Sequence, residues 1–519
     1  MKSRSLLTVL SLHLLILSGV LQGSESISPE ARSLVDGNTR FALDLYRDLA
    51  STDSEANLFI SPWSLSTALG MAWAGAVGET ADEMAQALNF PFGQSTTHPL
   101  FGELIGNLNA LQEDGKLILH TANALWPAAG HDVLPEYHTL LQSHYGAHAE
   151  SLDFRNETEG SREHINEWVS GKTAERIPEL IPQGMLSADT AIVLTNAIYF
   201  KGAWKTLFDP EKTVEAVFSA ADGSSIEIPM MFLKEDLPFY EDSTVTLVTL
   251  PYHDERLEAV LLSPRSGSIN TLESNLTPER LQNWLDARST TEVTVRIPRF
   301  GLSDKRELSE PLKALGMERA FVPSEADFSG IFGQPDIFIS WVIHETFLQV
   351  REEGTEAAGA TGIGFEFTSI GPYFAGDRPF LFLIRDTTSA SLLFLGRVAL
   401  PEPLEEIVPT DPDPEKVRAF FGEGAFRNEN GWWENSIIGP FRADRWPWLE
   451  HESLGWLYLD EATAGSGFWL HAASLGWLYS SPLHFPAFWS PSEEWLLYQE
   501  GTHDPSWFYH YREGIWHRH

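Results

Sequence analysis

Cysteine is absent from all 519 residues. That absence excludes thiol nucleophiles, thiolate metal sites and disulfides, so stability has to come from packing. Basic residues are scarce as well: 35 Lys and Arg stand against 73 Asp and Glu, a formal net charge of -38. No Lys or Arg lies between Arg47 and Lys116. A chain so acidic repels polyanions at long range, which makes nucleic acid, heparin-like glycans and anionic membranes poor partners. There is no G-x-S-x-G and no H-E-x-x-H, and His344-Glu345 runs on into Thr346-Phe347-Leu348, so no metal-binding pair of histidines forms there. The chain does not read as an enzyme, and no catalytic residue, metal or cofactor is expected.

Long apolar runs are also few. One covers residues 6–21, behind Lys2 and Arg4 and ahead of Gln22-Gly23-Ser24. Basic head, short apolar middle and small-residue exit together read as a secretory signal peptide over residues 1–23, which predicts a secreted protein, extracellular or periplasmic. The competing reading is a membrane anchor, for which the run is barely long enough.

What is present is a sizeable core, with 43% hydrophobic residues. Ser28-Pro29-Glu30 opens a helical pattern carrying Leu34, Phe41, Leu43, Leu45 and Tyr46, and Pro62 sits in the first turn of another with Leu65, Leu69 and Met71. Strand-like runs cover 191–200, 245–250, 292–297, 338–343 and 392–398. Both kinds interleave without an internal repeat, predicting one mixed α+β domain over residues 28–401.

The composition then changes. Residues 402–416 form an acidic, proline-rich linker, expected to be stiff and extended. Eleven of the 18 tryptophans follow it, and the pentapeptide LGWLY occurs at both 454–458 and 475–479. Short aromatic runs separated by Gly, Pro, Ser and Asp predict a small all-β module of hairpins over residues 417–519. It resembles aromatic and glycine-rich modules appended to secreted bacterial proteins. Its tryptophans either build the module's core, the commoner use of aromatics at strand spacing, or bind a glycan or cell-surface partner. His503, His510, His517 and His519 lack the close pairing of a zinc motif, so no metal is assigned to them.

The segment from His344 to Thr368 reads as a strand awaiting a sheet. Its alternation sets Thr355, Ala357, Gly359, Thr361, Ile363, Phe365 and Phe367 on one uncharged face and leaves Glu356 and Glu366 on the other. No proline forbids pairing, and the side chains near its start are small.

Six motifs, in order, give this segment a context. They are NLFISPWSLSTALGMAWAGAVGETADEM from Asn57, INEWVSGKTAERIPELIP from Ile165, TNAIYFKGAWKTLFDPEKT from Thr195, IPRF ending at Phe300, HETFLQVREEGTEAAGA from His344, and RPFLFLIRD followed by FLGRVALP. Together they closely resemble the serpin family over residues 28–401. The resemblance implies the serpin fold, with three β-sheets, about eight or nine helices and an exposed reactive-centre loop. It implies a monomeric suicide inhibitor whose partner is a target serine protease held as a covalent acyl complex. It places Ser61, Ser64, Asn196 and His344 at the shutter, where the central sheet parts, and Trp204 at the breach, where the loop starts to enter.

By the same resemblance the hinge is Glu352, Glu353, Gly354, Thr355, Glu356, Ala357, Ala358, Gly359, Ala360 and Thr361. Thr355 is the first side chain that must pass under the sheet, and it is uncharged, as inhibition requires. Family spacing sets the reactive bond between Thr368 and Ser369, with Phe367 as a shifted alternative. An extended strand from Glu352 to Thr368 would reach roughly 55 Å, enough to carry an attached protease across the domain. Thr368 is not basic, so elastase-like or chymotrypsin-like proteases are the expected targets. Gly359, Gly362 and Gly364 make the loop richer in glycine than the family norm, and glycine weakens strands. Slow insertion would favour cleavage over trapping, which keeps a non-inhibitory, serpin-fold binding protein as the alternative.

Overall fold

In the computed structural model the described residues are 27–112, 117–130, 133–253, 255–335, 337–355, 371–404 and most of 414–518, the last in short stretches. The apolar run at 6–21, the stretch 405–413 of the linker and the segment 356–370 lie outside them. No helix among the described residues is long and apolar enough to cross a membrane.

Among the described residues, ten α-helices and two sheets lie within 27–404. The first helix, Pro29–Thr52, starts where Ser28 predicts: the Ser28 hydroxyl accepts from the Ala31 N–H, and Pro29 fills the first turn. Leu34, Phe41, Leu45 and Leu49 form its buried stripe. The next helix, Pro62–Trp73, is buried on every side, so its polar Ser64, Ser66 and Thr67 all need partners inside the protein.

A seven-stranded sheet carries the site. Its order is Glu402–Pro403, Phe300–Glu307, Ile339–Val350, Gly354–Thr355, Ile192–Ala203, Leu117–Pro127 and His148–Ala149. Ile339–Val350 also pairs directly and in parallel with Ile192–Ala203, from Ile339↔Ile192 to Phe347↔Tyr199. One face of these strands presents Asn123, Asn196 and His344 toward the Pro62–Trp73 helix. The alternate residues Ala122, Ala124, Ala197 and Ile343 pack with Ile165 and Val169 of the helix Thr158–Lys172. The central strands are therefore buried on both faces.

The second sheet has nine strands, and Ser225–Glu241, 17 residues long, joins its two halves by pairing with Val214–Ser219, Val245–Pro251 and Ser289–Pro298. Two of the three expected sheets are thus hydrogen-bonded into one. Its other end runs through Phe380–Asp386 and Leu392–Val398 to Leu58–Ile60. There the buried Arg397 guanidinium donates to both Glu273 oxygens at 3.0 and 2.9 Å, and the Tyr46 hydroxyl donates to the same carboxylate at 2.6 Å.

Among the described residues beyond 413, eleven strands form an antiparallel meander, each paired with the next from Phe426–Arg427 to Ile515–Arg518. One helix, Pro414–Phe421, adds Val417, Phe420 and Phe421 to its core. That core is made chiefly of Leu449, Leu457, Leu470, Leu478, Phe488, Leu496 and Phe508. Of the described tryptophans Trp433 joins that core, whereas Trp495, Trp507 and Trp516 are exposed.

Two sequence expectations need correction. His344 does not begin a separate strand: it lies mid-way along Ile339–Val350, because the alternation of 338–343 continues unbroken to Val350. The linker is shorter than residues 402–416, since Glu402–Pro403 pairs with the sheet edge and the Pro414–Phe421 helix begins before 416. Pro403 fits there because an edge strand need not donate on its outer side. The C-terminal strands form the expected all-β sheet, and the helix Pro414–Phe421 before them turns Val417, Phe420 and Phe421 inward on one face to cover its core.

Candidate functional site: shutter and breach

Ser61, Ser64, Asn196 and His344 come together in one buried network. His344 and Asn196 are partners across the parallel pair, and Asn123 lies opposite Asn196 on the next strand, so the three form a row across the sheet. The Ser61 backbone N–H donates to His344 Nε2 at 3.0 Å. An N–H cannot accept, so the ring proton sits on Nδ1 and donates to Asn196 Oδ1. Asn196 Nδ2 donates in turn to Ser64 Oγ and Asn123 Oδ1. Ser61 Oγ donates to Leu393 O at 2.7 Å and caps the helix by accepting from the Ser64 N–H at 3.3 Å. Burial pushes the His344 pKa down to about 3, so the ring is neutral at physiological pH. Every member is polar and none carries charge, so partners can be exchanged without stranding an ion.

Beyond the last direct pair, Phe347↔Tyr199, the same two strands are held apart at Val350 and Gly202. Gly354 pairs with Ala203 and Thr355 with Gly202 on one side, while Thr355 pairs with Val350 on the other. The hinge has entered the sheet by two residues. A tight turn reverses the chain: the Arg351 N–H donates to Gly354 O at 2.8 Å and the Gly354 N–H returns to Arg351 O at 3.3 Å. Gly354 is required here, because a Cβ at this position would lie 2.1 Å from Gly202 O. The Thr355 hydroxyl lies 2.8 Å from the Tyr252 hydroxyl, and the Tyr252 ring stacks on Trp204 with centroids 4.6 Å apart. Burial raises the Tyr252 pKa, so this phenol stays neutral.

Trp204 holds the turn. Its Nε1–H donates to Arg351 O at 3.0 Å and its backbone N–H to Glu353 O at 2.9 Å, while the Phe208 N–H donates to Glu352 O at 2.8 Å. Glu352 and Glu353, at the corner, are both 0% exposed. Glu352 accepts from the Thr213 hydroxyl at 2.7 Å and faces the buried Arg299 guanidinium at 3.6 Å. Burial lowers the Arg351 pKa, opposed chiefly by Glu353. Two acidic and two basic side chains thus balance inside the protein at the foot of the hinge.

The structure therefore places Glu352, Glu353, Gly354 and Thr355 at one sheet opening beside Trp204, and the shutter residues along the closed part of the same sheet. The hinge residues Glu356, Ala357, Ala358, Gly359, Ala360 and Thr361, with Phe367, Thr368 and Ser369, lie outside the described residues. Sequence reasoning missed Asn123, Tyr252, Thr213 and Arg299. Asn123 had a signal, an amide in the middle of an otherwise strand-like run. Arg299, inside the IPRF motif, carried none that pointed to Glu352.

The serpin (serine protease inhibitor) family model matches residues 36–401. The chain belongs to the serpin family. Leukocyte elastase inhibitor of Homo sapiens is 39% identical over 379 residues, 71% of this serpin and 99% of the relative. The uncharacterized serpin-like protein of Methanosarcina mazei is 34% identical over 380 residues, 71% of this chain and 88% of its own length. Among solved structures, human thyroxine-binding globulin complexed with thyroxine superposes with a TM-score of 0.66 at 28% identity, covering 72% of this serpin and all of that chain. Native protease nexin-1 with heparin gives 0.65 at 26% identity, again covering 72% and 100%. The eleven-stranded sheet lies beyond the family match.

Proposed function

We propose that this serpin is a secreted inhibitor of elastase-like or chymotrypsin-like serine proteases that acts by inserting its cleaved loop as a new central strand. The observation that carries the reading is Thr355, already buried between Ile339–Val350 and Ile192–Ala203 with Gly354 beside it. A strand entering there has a started register and a sheet that pairs only side by side below it. The protease's serine Oγ attacks the carbonyl carbon of Thr368, and the Ser369 amine leaves with a proton from the protease's own general acid. This serpin contributes no catalytic group. Its residues supply the gate at Thr355, the turn held by Trp204 and the neutral row at His344, and insertion outruns hydrolysis of the ester.

The test is a gel-stable covalent complex with an elastase-like or chymotrypsin-like protease. Thr355→Arg puts a charge where Thr355 meets Tyr252 and is expected to abolish the complex while leaving loop cleavage intact; an undiminished complex would sink the mechanism. The glycine-rich loop sequence supports a second reading, a serpin-fold binding protein that does not insert. Heating the loop-cleaved protein separates the two, since only an inserting serpin gains marked thermal stability.

A further inference from the structure

The chain is anchored beside the breach at two places, one on each side of residues 405–413. The first is Glu402–Pro403, the edge strand of the serpin sheet, which pairs with Phe300 and Gly301. Phe300 is the partner of Val350, and Val350 of Thr355, so this edge strand stands at the level where the hinge enters. Leu404 closes on Gly301, with its Cδ2 3.0 Å from where a Cβ would stand.

The second attachment is aromatic. Trp469 and Trp477 of the C-terminal sheet meet the His253 ring at centroid distances of 6.4 and 5.2 Å. Tyr458 stands edge-on to Trp477 at 6.0 Å, and both are buried in the same apolar cluster as Trp204 and Tyr252. His253 follows Tyr252 in sequence, and its backbone N–H donates to Ala203 O at 2.9 Å. Ala203 is the residue opposite Gly354. An unbroken chain of contacts therefore runs from Trp477 through His253 and Ala203 to Gly354 in the hinge.

We propose that the C-terminal sheet is an intramolecular clamp that slows opening of the breach. The inference rests on the insertion reading above. For a longer strand to enter, Ile192–Ala203 must draw away from Ile339–Val350, and its last residues must move with it. His253 ties those residues to Trp469 and Trp477, so their movement strips the half-buried His253 ring from the buried Trp477 and the half-buried Trp469. The clamp holds the loop out until a protease has cleaved it, and keeps the unreacted protein from inserting its loop early.

The experiment measures uptake of a synthetic peptide with the sequence of residues 356–368 by the full-length protein, without any protease. His253→Ala, on the serpin side, and the double variant Trp469→Ala, Trp477→Ala are each expected to take up peptide about fivefold faster, the rate change that losing about 1 kcal/mol of aromatic contact produces. Trp516→Ala, at the exposed far edge of the same sheet, is expected to leave the rate unchanged. Equal rates for His253→Ala and the unaltered protein overturn the clamp while leaving insertion intact. Acceleration by Trp516→Ala also overturns it, because loosening the module anywhere would then suffice. No uptake by any of the proteins, together with no covalent protease complex, sinks insertion and the clamp with it.

Discussion

The shutter and the breach lie on the same pair of strands and are built from opposite chemistries. At the shutter a neutral row, His344, Asn196 and Asn123, joins strands that are already paired. At the breach Arg299, Arg351, Glu352 and Glu353 are buried around a turn that keeps the strands apart. Under the proposed insertion the difference follows from what each place would do. A region whose partners change can be polar but not ionic, because an ion loses far more when its partner leaves. A turn whose charges keep one another as partners can hold them, provided they balance.

The largest expected effect comes from unbalancing that corner. Glu352→Ala leaves Arg299 buried without its carboxylate and is expected to lower stability by about 3–5 kcal/mol, read as the midpoint of denaturant unfolding. Replacing both, Arg299→Met with Glu352→Met, should restore most of the loss, since a buried pair can be exchanged for apolar packing at little cost. If the single variant unfolds like the unaltered protein, the breach is not held by charge and the contrast fails.

A smaller effect is expected at the shutter. Asn196→Leu leaves the His344 Nδ1–H without its acceptor, while Asn123 Oδ1 keeps the Ser64 hydroxyl, at about 1–3 kcal/mol for the one buried group orphaned. The same unfolding measurement checks it, and a loss exceeding that of Glu352→Ala would reverse the ranking of the two regions.

The smallest effect is a slope. His344 is neutral in the folded protein, with its pKa near 3, while the unfolded chain binds a proton below the ordinary value of 6.5. Between these values the unfolded state holds more protons, so stability falls as pH falls, by at most about 1.4 kcal/mol per pH unit from this group. His344→Gln should remove that component, so the stability difference between the two proteins should shrink steadily from pH 6.5 to 4. His98, held near pKa 4 by burial, keeps its own contribution in both.

Much of this geometry was legible in the sequence. The shutter residues and Trp204 stand in motifs whose order and spacing resemble the family, and Ser28 and Pro62 marked their helix starts through capping chemistry that is local. Register across strands was not local, and that is where reading failed. Asn123 matters only because it faces Asn196 from 73 residues away, and Arg299 only because folding sets it beside Glu352. The contact of Trp477 with His253 had no trace in either segment, since aromatic repeats signal strands and not what their outer face will meet.

The short strand at Glu402–Pro403 also bears on how this protein behaves among its own copies. Phe300–Glu307 would otherwise present an open row of backbone groups at the end where Gly354–Thr355 sits in the sheet. A proline opposite Phe300 has no N–H to offer a neighbour, and the glutamate before it brings a negative charge to that rim. A loop from a second molecule that tried to extend this corner of the sheet would find an edge already taken and chemically blunted.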